Sequence, residues 1–335
     1  MEIQKKIIGV NGFGRIGRYF TRLSLLNEQL DVAVVNDLAP LETLAHLLKY
    51  DSVHAGLKQT FKIDGNKIIF ESGKSILFIQ EKDPAKIDWD SYGVEYVLES
   101  TGLFLTREKA NQHFINSPNL KKVILSAPAK DDDIRTVVLG VNEGLISPKD
   151  SIISNASCTT NSAAPMIEVI RKLTDIDSAY ITTIHSYTTD QKLHDSPHKD
   201  LRRARAAALS IVPTSTGAAK ALTKIFPELE GHFGGCGMRV PVPDGSLTDL
   251  TLIVSNPPTV DEINKAFKVA SETYLKNILT YTEDPIVSVD IIGNQSSVIF
   301  DSDLTSVIGN MIKLVGWYDN EAGYSNRLIN LIEIL

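Results

Sequence analysis

The stretch "VNGFGRIGR", residues 10–18, carries the spacing Gly12-x-Gly14-x-x-Gly17 directly after a short apolar run. An amphipathic segment, residues 15–26, follows it, so the order is strand, glycine turn and helix. In this order the first glycine permits a tight turn, the second lets backbone approach a pyrophosphate, and the third lets helix and strand pack closely. The N–H groups at the start of the helix favour an anion. We therefore predict a dinucleotide-binding loop.

The flanking sequence extends this pattern into a sheet. A second strand signal ends at Asp37, where a carboxylate would accept hydrogen bonds from ribose hydroxyls and repel a 2′-phosphate, which favours NAD over NADP. Short apolar runs separated by helix-length segments predict a parallel sheet covered on both faces. The runs cover residues 5–11, 31–37, 94–101, 121–127 and 136–142. Alternation around Asp64-Gly65 predicts an inserted antiparallel hairpin.

The chain changes character beyond Cys158, where the strand signals become longer. They cover residues 178–188, 247–255, 284–292 and 309–319, and helix signals cover residues 261–276 and 321–334. We expect one large mixed or antiparallel sheet here. The fold class predicted for the whole chain is α/β, with a Rossmann dinucleotide-binding domain followed by an α+β domain.

Composition narrows the classes of function. The chain has 335 residues and a formal net charge of −7, which disfavours nucleic acid or an anionic membrane surface as the main partner. It has no apolar run of about 18 residues, and its first residues lack the pattern of a signal peptide. Two cysteines do not make a disulfide framework, so we expect a reducing, cytoplasmic environment and a free thiol at Cys158.

The second chemical signal is "NASCTTN", residues 155–161, which sets Cys158 among hydroxyl and amide side chains just ahead of a helix signal. A nucleophilic cysteine needs a lowered pKa, which a helix N-terminus or a nearby histidine supplies. Pro165 implies a late helix start or a bend. The alternative is that Cys158 is a small buried hydrophobe. Cys236 stands in a glycine turn with no base nearby, and we interpret it as structural.

Candidates for a base and for an anion site follow further along the chain. Of seven histidines, His185 ends a strongly β-forming segment, where a rigid strand presents its side chain to a site. A phosphate could be bound by hydroxyl groups, by guanidinium groups or by flexible backbone at a helix N-terminus. The candidates are Thr188, Arg202, Arg203, Arg205, Thr214, Ser215, Thr216, Gly217 and Arg239. The alternative for each arginine is a charged surface.

Eight ordered stretches together resemble the phosphorylating glyceraldehyde-3-phosphate dehydrogenases over the full length of the chain. They are "NGFGRIGR", "HLLKYDSVHAG", "SNASCTTN", "TTIHSYTTDQ", "HKDLRRARAAA", "PTSTGAAKA", "MRVPVP" and "WYDNEAGYSNR". The resemblance implies an NAD-binding Rossmann domain over residues 1–157, a catalytic domain over 158–320, and a C-terminal helix, 321–335, that returns to the NAD-binding domain. It also implies a homotetramer in which residues 186–209 pack near the cofactor of a neighbouring subunit.

The resemblance further implies the role of each site residue and no metal. Cys158 is the nucleophile that forms a thioester, and His185 is the base that activates it. The residues implied to bind NAD are Asn11, Gly12, Gly14, Arg15, Ile16, Gly17, Asp37, Lys82, Ser126 and Asn320. Those implied to hold glyceraldehyde 3-phosphate and inorganic phosphate are Ser157, Thr159, Thr188, Arg203, Thr216, Gly217 and Arg239.

The sequence departs from the family pattern at three positions, and two alternative functions are not excluded by it. Ser162 replaces a frequent second cysteine, Ala322 replaces a frequent large aromatic residue, and Ser196 stands where NAD-specific members commonly carry leucine, so some use of NADP is conceivable. The nearer alternative is an erythrose-4-phosphate dehydrogenase. The other is a protein that keeps the fold to bind NAD or RNA without catalysis.

Overall fold

The computed structural model describes residues 5–335, which divide into two compact units. Unit 1 comprises the described residues up to Val137, together with Gly144–Ala156 and Ser325–Leu335. Unit 2 comprises Val138–Glu143 and Ser157–Tyr324. The predicted domain bounds, 1–157, 158–320 and 321–335, stay a prediction, and their first four residues lie outside the described range.

Unit 1 is built on a nine-stranded sheet in the order β3-β4-β5-β2-β1-β6-β7-β9-β8. Its strands are β1 (Lys6–Asn11), β2 (Leu30–Asn36), β3 (Phe61–Asp64), β4 (Lys67–Phe70), β5 (Ser75–Ile79), β6 (Tyr96–Glu99), β7 (Lys122–Leu125), β8 (Arg135–Thr136) and β9 (Ile152–Ser154). The pairs from β5 through β2, β1, β6, β7 and β9 to β8 are parallel. The helices of the first half are α1 (Arg15–Ser24), α2 (Leu41–Lys49) and the short α3 (Arg107–Ala110). This confirms the predicted Rossmann-type class.

The inserted hairpin is also confirmed, because β3 pairs antiparallel with β4 and β4 pairs antiparallel with β5. Asp64 and Lys67 face each other, and Gly65 has a φ of 55° in the two-residue turn between them. That left-handed conformation suits glycine, which is why the local sequence signal was sufficient here.

The strand predicted over residues 136–142 is wrong beyond Thr136. The chain turns instead: Gly140 has a φ of 82°, and the Val138 N–H donates to Asn142 Oδ1 at 2.8 Å. Val137 and Val138 are buried all the same. Burial of apolar residues therefore produced a strand-like pattern in a turn, and β9 holds the place beside β7.

Unit 2 is built on an eight-stranded mixed sheet in the order β11-β12-β10-β13-β17-β15-β14, with β16 paired to β17. Its strands are β10 (Ile176–Ser186), β11 (Val212–Thr214), β12 (Phe233–Val240), β13 (Ser246–Val254), β14 (Leu279–Thr282), β15 (Val298–Asp301), β16 (Ser306–Ile308) and β17 (Met311–Tyr318). Only β10–β12 and β14–β15 are parallel among these pairs. Buried and half-buried residues alternate along β13, so one sheet face is packed. The predicted mixed sheet is confirmed.

The helices of the second half are α4 (Cys158–Ile170), α5 (Ala218–Ile225), α6 (Val260–Glu272) and α7 (Ala322–Ile334). A capping box starts α6, in which Thr259 and Glu262 satisfy each other's backbone N–H groups. At the end of α7, Lys6 Nζ donates to the carbonyls of Ile332 and Glu333 at 2.8 Å each. A cation there satisfies two last-turn carbonyls and complements the helix dipole.

The strand predicted over residues 284–292 is wrong. Residues Ser288–Ile291 form a single 3₁₀ turn, and the Val287 N–H donates to Asp290 Oδ2 at 2.8 Å. Pro285 has no N–H for a sheet ladder, and Val287 and Val289 are exposed. The alternating valines therefore produced a strand-like sequence pattern in a surface turn. The strands β12, β14 and β15 carried no comparable signal because they are short or rich in glycine.

Within residues 5–335, none of the helices combines the length and apolar character that crossing a membrane requires.

A buried carboxyl group, Asp244, lies in the turn between β12 and β13. Burial, and then the nearby charges of Asp319 and Glu321, raise the pKa of Asp244 to about 9. In an unfolded chain the same group loses its proton near its ordinary pKa of about 4. The folded protein thus binds one more proton between these values, and the free energy of unfolding falls as pH rises through this window.

We expect Asp244→Asn to stabilise the protein at pH 8, because an amide stays neutral and keeps the Oδ1 acceptor that receives the Gly245 N–H. The gain over wild type should grow by up to about 1.4 kcal/mol for each pH unit between pH 5 and pH 8. Thermal midpoints measured across that range test it. The control is Asp64→Asn, at an exposed turn position. A gain that does not change with pH would contradict this assignment.

Candidate active site

The loop between β1 and α1 has the shape that a dinucleotide needs. Gly12 has a φ of 94°, and a Cβ added there would lie 2.7 Å from the Thr101 backbone nitrogen. A Cβ on Gly17 would lie 2.2 Å from the Gly12 carbonyl oxygen. A Cβ on Gly14 would meet no atom within 4 Å, so space is open at the position that caps α1. A tight turn, a close helix–strand contact and an open helix start fit a pyrophosphate at the N-terminus of α1.

Asp37 is tied to this loop from the end of β2. Its Oδ2 accepts the Phe13 N–H at 2.7 Å, and its Oδ1 accepts the Ala39 N–H at 3.0 Å. A carboxylate oxygen accepts more than one hydrogen bond, so both oxygens keep capacity for ribose hydroxyls. The structure therefore gives Asp37 a second task, which is to hold the glycine loop against β2.

The other predicted NAD-binding residues of unit 1 lie in or beside loops that follow parallel strands. Asn11 ends β1, and its Nδ2 donates to the buried Glu99 at 2.6 Å. Ser126 follows β7, and Lys82 is exposed beyond β5. Ligands of open parallel sheets bind at these carboxyl ends.

The Arg15 side chain points to Asp51, with NH1 2.8 Å from Oδ2. Burial raises the pKa of Asp51, but the backbone N–H groups of His54 and Val53 and the charge of Arg15 outweigh it and hold that pKa at about 2. The Arg15 side chain is therefore engaged within unit 1, as is Ile16, which is half-buried.

In unit 2, Cys158 is the first residue of α4. Ser157 caps the helix, since its Oγ accepts the Thr160 N–H at 3.1 Å, and Ala156 before it has a φ of 54°. The helix starts at Cys158 and continues through Pro165, so of the two predicted alternatives, a late start or a bend, the late start is wrong. A side chain at the first position of a 13-residue helix faces the positive end of the helix dipole.

His185 and Arg239 lie side by side because β10 and β12 pair in parallel with these two residues as direct partners. His185 Nε2 lies 3.4 Å from Cys158 Sγ. Arg239 NH1 lies 2.8 Å from His185 Nδ1 and donates to the Ser186 carbonyl at 2.9 Å. His185 is buried, and among the described residues it is the histidine within hydrogen-bond reach of Cys158.

The proton on the imidazole has two alternative positions. An arginine can only donate, so when Nδ1 accepts from Arg239 the proton is on Nε2 and points to the sulfur. When Nδ1 carries the proton it donates to the Ser186 carbonyl, which is 2.8 Å away, and the Nε2 lone pair faces the thiol. Only the second tautomer can take the proton of Cys158.

Burial and the nearby positive charge of Arg239 both shift the pKa values of Cys158 and His185. Burial raises the pKa of the Cys158 thiol, and Arg239 and the Thr159 N–H lower it by less. Burial and the charge of Arg239 lower the pKa of His185 to about 3. The expected lowering of the thiol pKa is therefore wrong for this arrangement, in which the neutral thiol and imidazole are favoured.

A buried side chain that the sequence analysis did not single out, Tyr318, lies against this centre. Tyr318 Oη lies 2.9 Å from Thr159 Oγ1 and 2.8 Å from Thr183 Oγ1, and its ring meets that of His185 edge-on at 6.0 Å. The signal that could have found Tyr318 is its place at a strand end, two residues before Asn320.

Asn320 is oriented by two serine hydroxyls. Ser186 Oγ and Ser246 Oγ donate to Asn320 Oδ1 at 2.8 and 2.7 Å. These two hydrogen bonds fix the orientation of the Asn320 amide. Ser186 and Ser246, like Tyr318, were missed because their role depends on strand register.

The predicted anion site is partly assembled. Arg203 Nε donates to Thr214 Oγ1 at 2.9 Å, and its NH1 donates to Asp190, which also accepts from Thr188 Oγ1. Thr216 Oγ1 accepts the Ala218 N–H at 3.2 Å just before α5, and Gly217 is exposed beside it.

The remaining candidates do not contact Cys158 or His185 by any hydrogen bond described above. Arg202 is exposed and Arg205 pairs with Asp195. Cys236 is a free thiol 3.8 Å from Thr182 Oγ1.

Comparison with known proteins gives one consistent result. Residues 6–107 match the family profile described as glyceraldehyde 3-phosphate dehydrogenase, NAD binding domain, and residues 157–320 match that of its C-terminal domain. The chain is 51% identical to glyceraldehyde-3-phosphate dehydrogenase 2 of Streptomyces avermitilis over 327 residues, 97% of this chain and 96% of that protein. It is 50% identical to glyceraldehyde-3-phosphate dehydrogenases of Geobacillus stearothermophilus, covering 97% and 96% of the two chains, and of Mycobacterium avium, covering 98% of each.

Proposed function

Because the chain belongs to the glyceraldehyde-3-phosphate dehydrogenase family, we infer that it oxidises D-glyceraldehyde 3-phosphate with NAD and inorganic phosphate to 1,3-bisphosphoglycerate. The observation that carries this conclusion is the 3.4 Å contact between Cys158 Sγ and His185 Nε2 at the start of α4. A thiol beside an imidazole and a helix N-terminus is suited to attack a carbonyl carbon.

In the proposed reaction the Cys158 sulfur is first the nucleophile and later the leaving group. Its sulfur attacks the aldehyde carbon as His185 takes the thiol proton, and the product is a hemithioacetal. The Cys158 backbone N–H and the imidazolium stabilise the developing oxyanion. NAD, when bound, would supply the acceptor for the hydride that leaves the hemithioacetal carbon. His185 takes the proton of the hemithioacetal hydroxyl, and a thioester to Cys158 remains. Inorganic phosphate then attacks the thioester carbon, the C–S bond breaks, and the acyl phosphate leaves a free thiolate on Cys158.

The phosphate groups are assigned to unit 2. Arg203, Arg239 and the hydroxyl of Thr188 would hold them from one side, and Thr216 with Gly217 at the start of α5 from another. Ser157 and Thr159 would flank the thiol in the substrate pocket. The guanidinium of Arg239 next to His185 links phosphate binding to the base.

The residues assigned to NAD are the glycine loop, Asp37, Ser126 and Lys82 in unit 1 and Asn320 in unit 2. The open start of α1 supports a pyrophosphate there, and the two serine donors fix the orientation of the Asn320 amide.

The phosphate requirement tests the proposed reaction. We expect NADH formation from D-glyceraldehyde 3-phosphate to depend strongly on inorganic phosphate, because water attacks the thioester poorly. NADH absorbance with and without phosphate measures it, and erythrose 4-phosphate is the comparison substrate. Equal rates without phosphate would contradict the acyl-phosphate mechanism, and faster turnover of erythrose 4-phosphate would favour the erythrose enzyme.

Asp37→Gly should relax the discrimination against NADP, because the variant loses the negative charge that repels a 2′-phosphate. We expect the ratio of kcat/KM for NAD to that for NADP to fall by about tenfold or more, equivalent to about 1.4 kcal/mol. Asp37→Asn is the matched variant, since it removes the charge but keeps an acceptor for the loop. An unchanged cofactor preference in both variants would remove Asp37 from its role.

We also propose a cytoplasmic homotetramer. Both cysteines are free thiols, which suits a reducing compartment. Leu193, Leu201, Leu209 and Ile211 are 77%, 82%, 81% and 68% exposed, which supports a partner surface along this segment. Sedimentation equilibrium measures the assembly. A monomer at micromolar concentration would contradict it.

A further inference from the structure

An acidic side chain lies among the groups assigned to the phosphate. Asp190 follows β10 in the loop after Thr188. Its Oδ1 accepts from Thr188 Oγ1, and its Oδ2 accepts from Arg203 NH1. Burial raises the pKa of Asp190, but the Thr188 hydroxyl and the charges of Arg203 and Arg239 outweigh it and keep this pKa below its ordinary value. Asp190 is therefore ionised at neutral pH.

A carboxylate and a phosphate require the same donors. Thr188 has one hydroxyl proton, and the NH1 proton that Arg203 directs to Asp190 cannot also point at a phosphate oxygen. A phosphate dianion beside the Asp190 carboxylate would in addition meet a like charge at short range. The two anions therefore compete for the Thr188 hydroxyl proton and for this NH1 proton of Arg203.

We propose that Asp190 is an internal competitor for phosphate, whose carboxylate occupies Thr188 and Arg203 and must release them before a phosphate group binds. The proposal rests on the proposed function, because that function assigns these donors to phosphate. Binding then becomes an exchange of one anion for another. The exchange weakens phosphate affinity and eases release of a product that carries phosphate groups.

The rival role is that Asp190 positions Arg203. Arg203 is already held on its other side, where Nε donates to Thr214 Oγ1 at 2.9 Å and lies 3.8 Å from Asp200 Oδ2. Thr214 in turn donates to Asp200 Oδ2 at 3.1 Å. The Asp190 side chain is 43% exposed, so it can turn into water at little desolvation cost. Arg203 therefore keeps its place without Asp190, and Asp190 can leave.

The test measures affinity for inorganic phosphate by titration calorimetry, which needs no turnover. Asp190→Asn removes the charge, and Asp190→Ala also removes the acceptor. We expect both variants to bind phosphate about three- to tenfold more tightly than wild type. Unchanged or weaker binding in both would overturn the proposal, and weaker binding would instead show that Asp190 positions Arg203.

The matched control is Asp200→Asn, which removes an acid near Arg203 that does not contact Thr188. It should not tighten phosphate binding, and tightening equal to that of the Asp190 variants would show a general charge effect and overturn the proposal.

Kinetics separate the two sources of phosphate. With D-glyceraldehyde 3-phosphate, a lower KM for the aldehyde places the competition at the ester phosphate. With unphosphorylated D-glyceraldehyde, a lower KM for inorganic phosphate places it at the attacking anion. A wild-type protein that forms no NADH from either aldehyde contradicts the proposed function, whereas the calorimetric comparison still decides the role of Asp190.

Discussion

Cys158→Ser is expected to lower kcat for aldehyde oxidation by at least about 10⁴-fold, the largest effect of any single substitution in the chain. A serine hydroxyl at the start of α4 keeps the size of the side chain but ionises far less readily than a thiol. The serine hydroxyl also cannot form the thioester whose carbon inorganic phosphate attacks. NADH absorbance under saturating substrate measures the loss, and NAD affinity should stay at the wild-type value.

Cys236→Ser is the control, because Cys236 lies in β12 beside Thr182 and is the other free thiol. This variant should turn over like wild type and should still be inactivated by one equivalent of iodoacetamide. Full NADH production after complete alkylation of Cys158 would show that the sulfur takes no part in the reaction.

His185→Asn should lower kcat by roughly 10²–10⁴-fold, the range that general acid–base help supplies. Asparagine can donate a hydrogen bond to the sulfur but cannot take its proton. The burial that raises the pKa of the Cys158 thiol remains, and the acceptor of its proton is gone. Alkylation of Cys158 at neutral pH should slow as well, which the rate of iodoacetamide reaction measures.

The control for this variant is His194→Asn, at an exposed position of the loop after β10. It should leave both turnover and alkylation unchanged. Because His185 is buried, the thermal midpoint of His185→Asn must be compared with wild type, so that unfolding is not mistaken for lost chemistry. Wild-type alkylation rates in a folded His185→Asn protein would exclude His185 as the base.

The sequence alone was sufficient to predict those elements that depend on the backbone conformation of a few neighbouring residues. The glycine spacing at residues 12–17 demands one backbone path, and the two-residue turn at Gly65 demands a left-handed φ, so both elements were predicted correctly. The pattern failed at 136–142 and at 284–292, where buried or alternating valines imitate strands. There, one side-chain acceptor, Asn142 or Asp290, captures a backbone N–H and turns the chain.

The residues of the candidate site could be predicted from residue type and resemblance, but the distances between their side chains could not. Cys158, His185 and Arg239 are separated by 27 and 54 positions in the chain, as the pairs Cys158–His185 and Arg239–His185 show. The parallel register of β10 and β12 sets His185 beside Arg239, and no local pattern encodes which strand pairs with which.

By itself, the sequence determined the dinucleotide loop and the two-part fold, because these depend on local spacing and periodicity, and its family resemblance predicted Cys158 as the nucleophile and His185 as the base. Only the tertiary structure decided that Arg239 faces the imidazole, that Tyr318 and two serines hold neighbouring side chains in place, and that Asp190 accepts hydrogen bonds from Thr188 and Arg203. It also decided the direction of the thiol's pKa, since burial is a property of packing and outweighs the nearby positive charges.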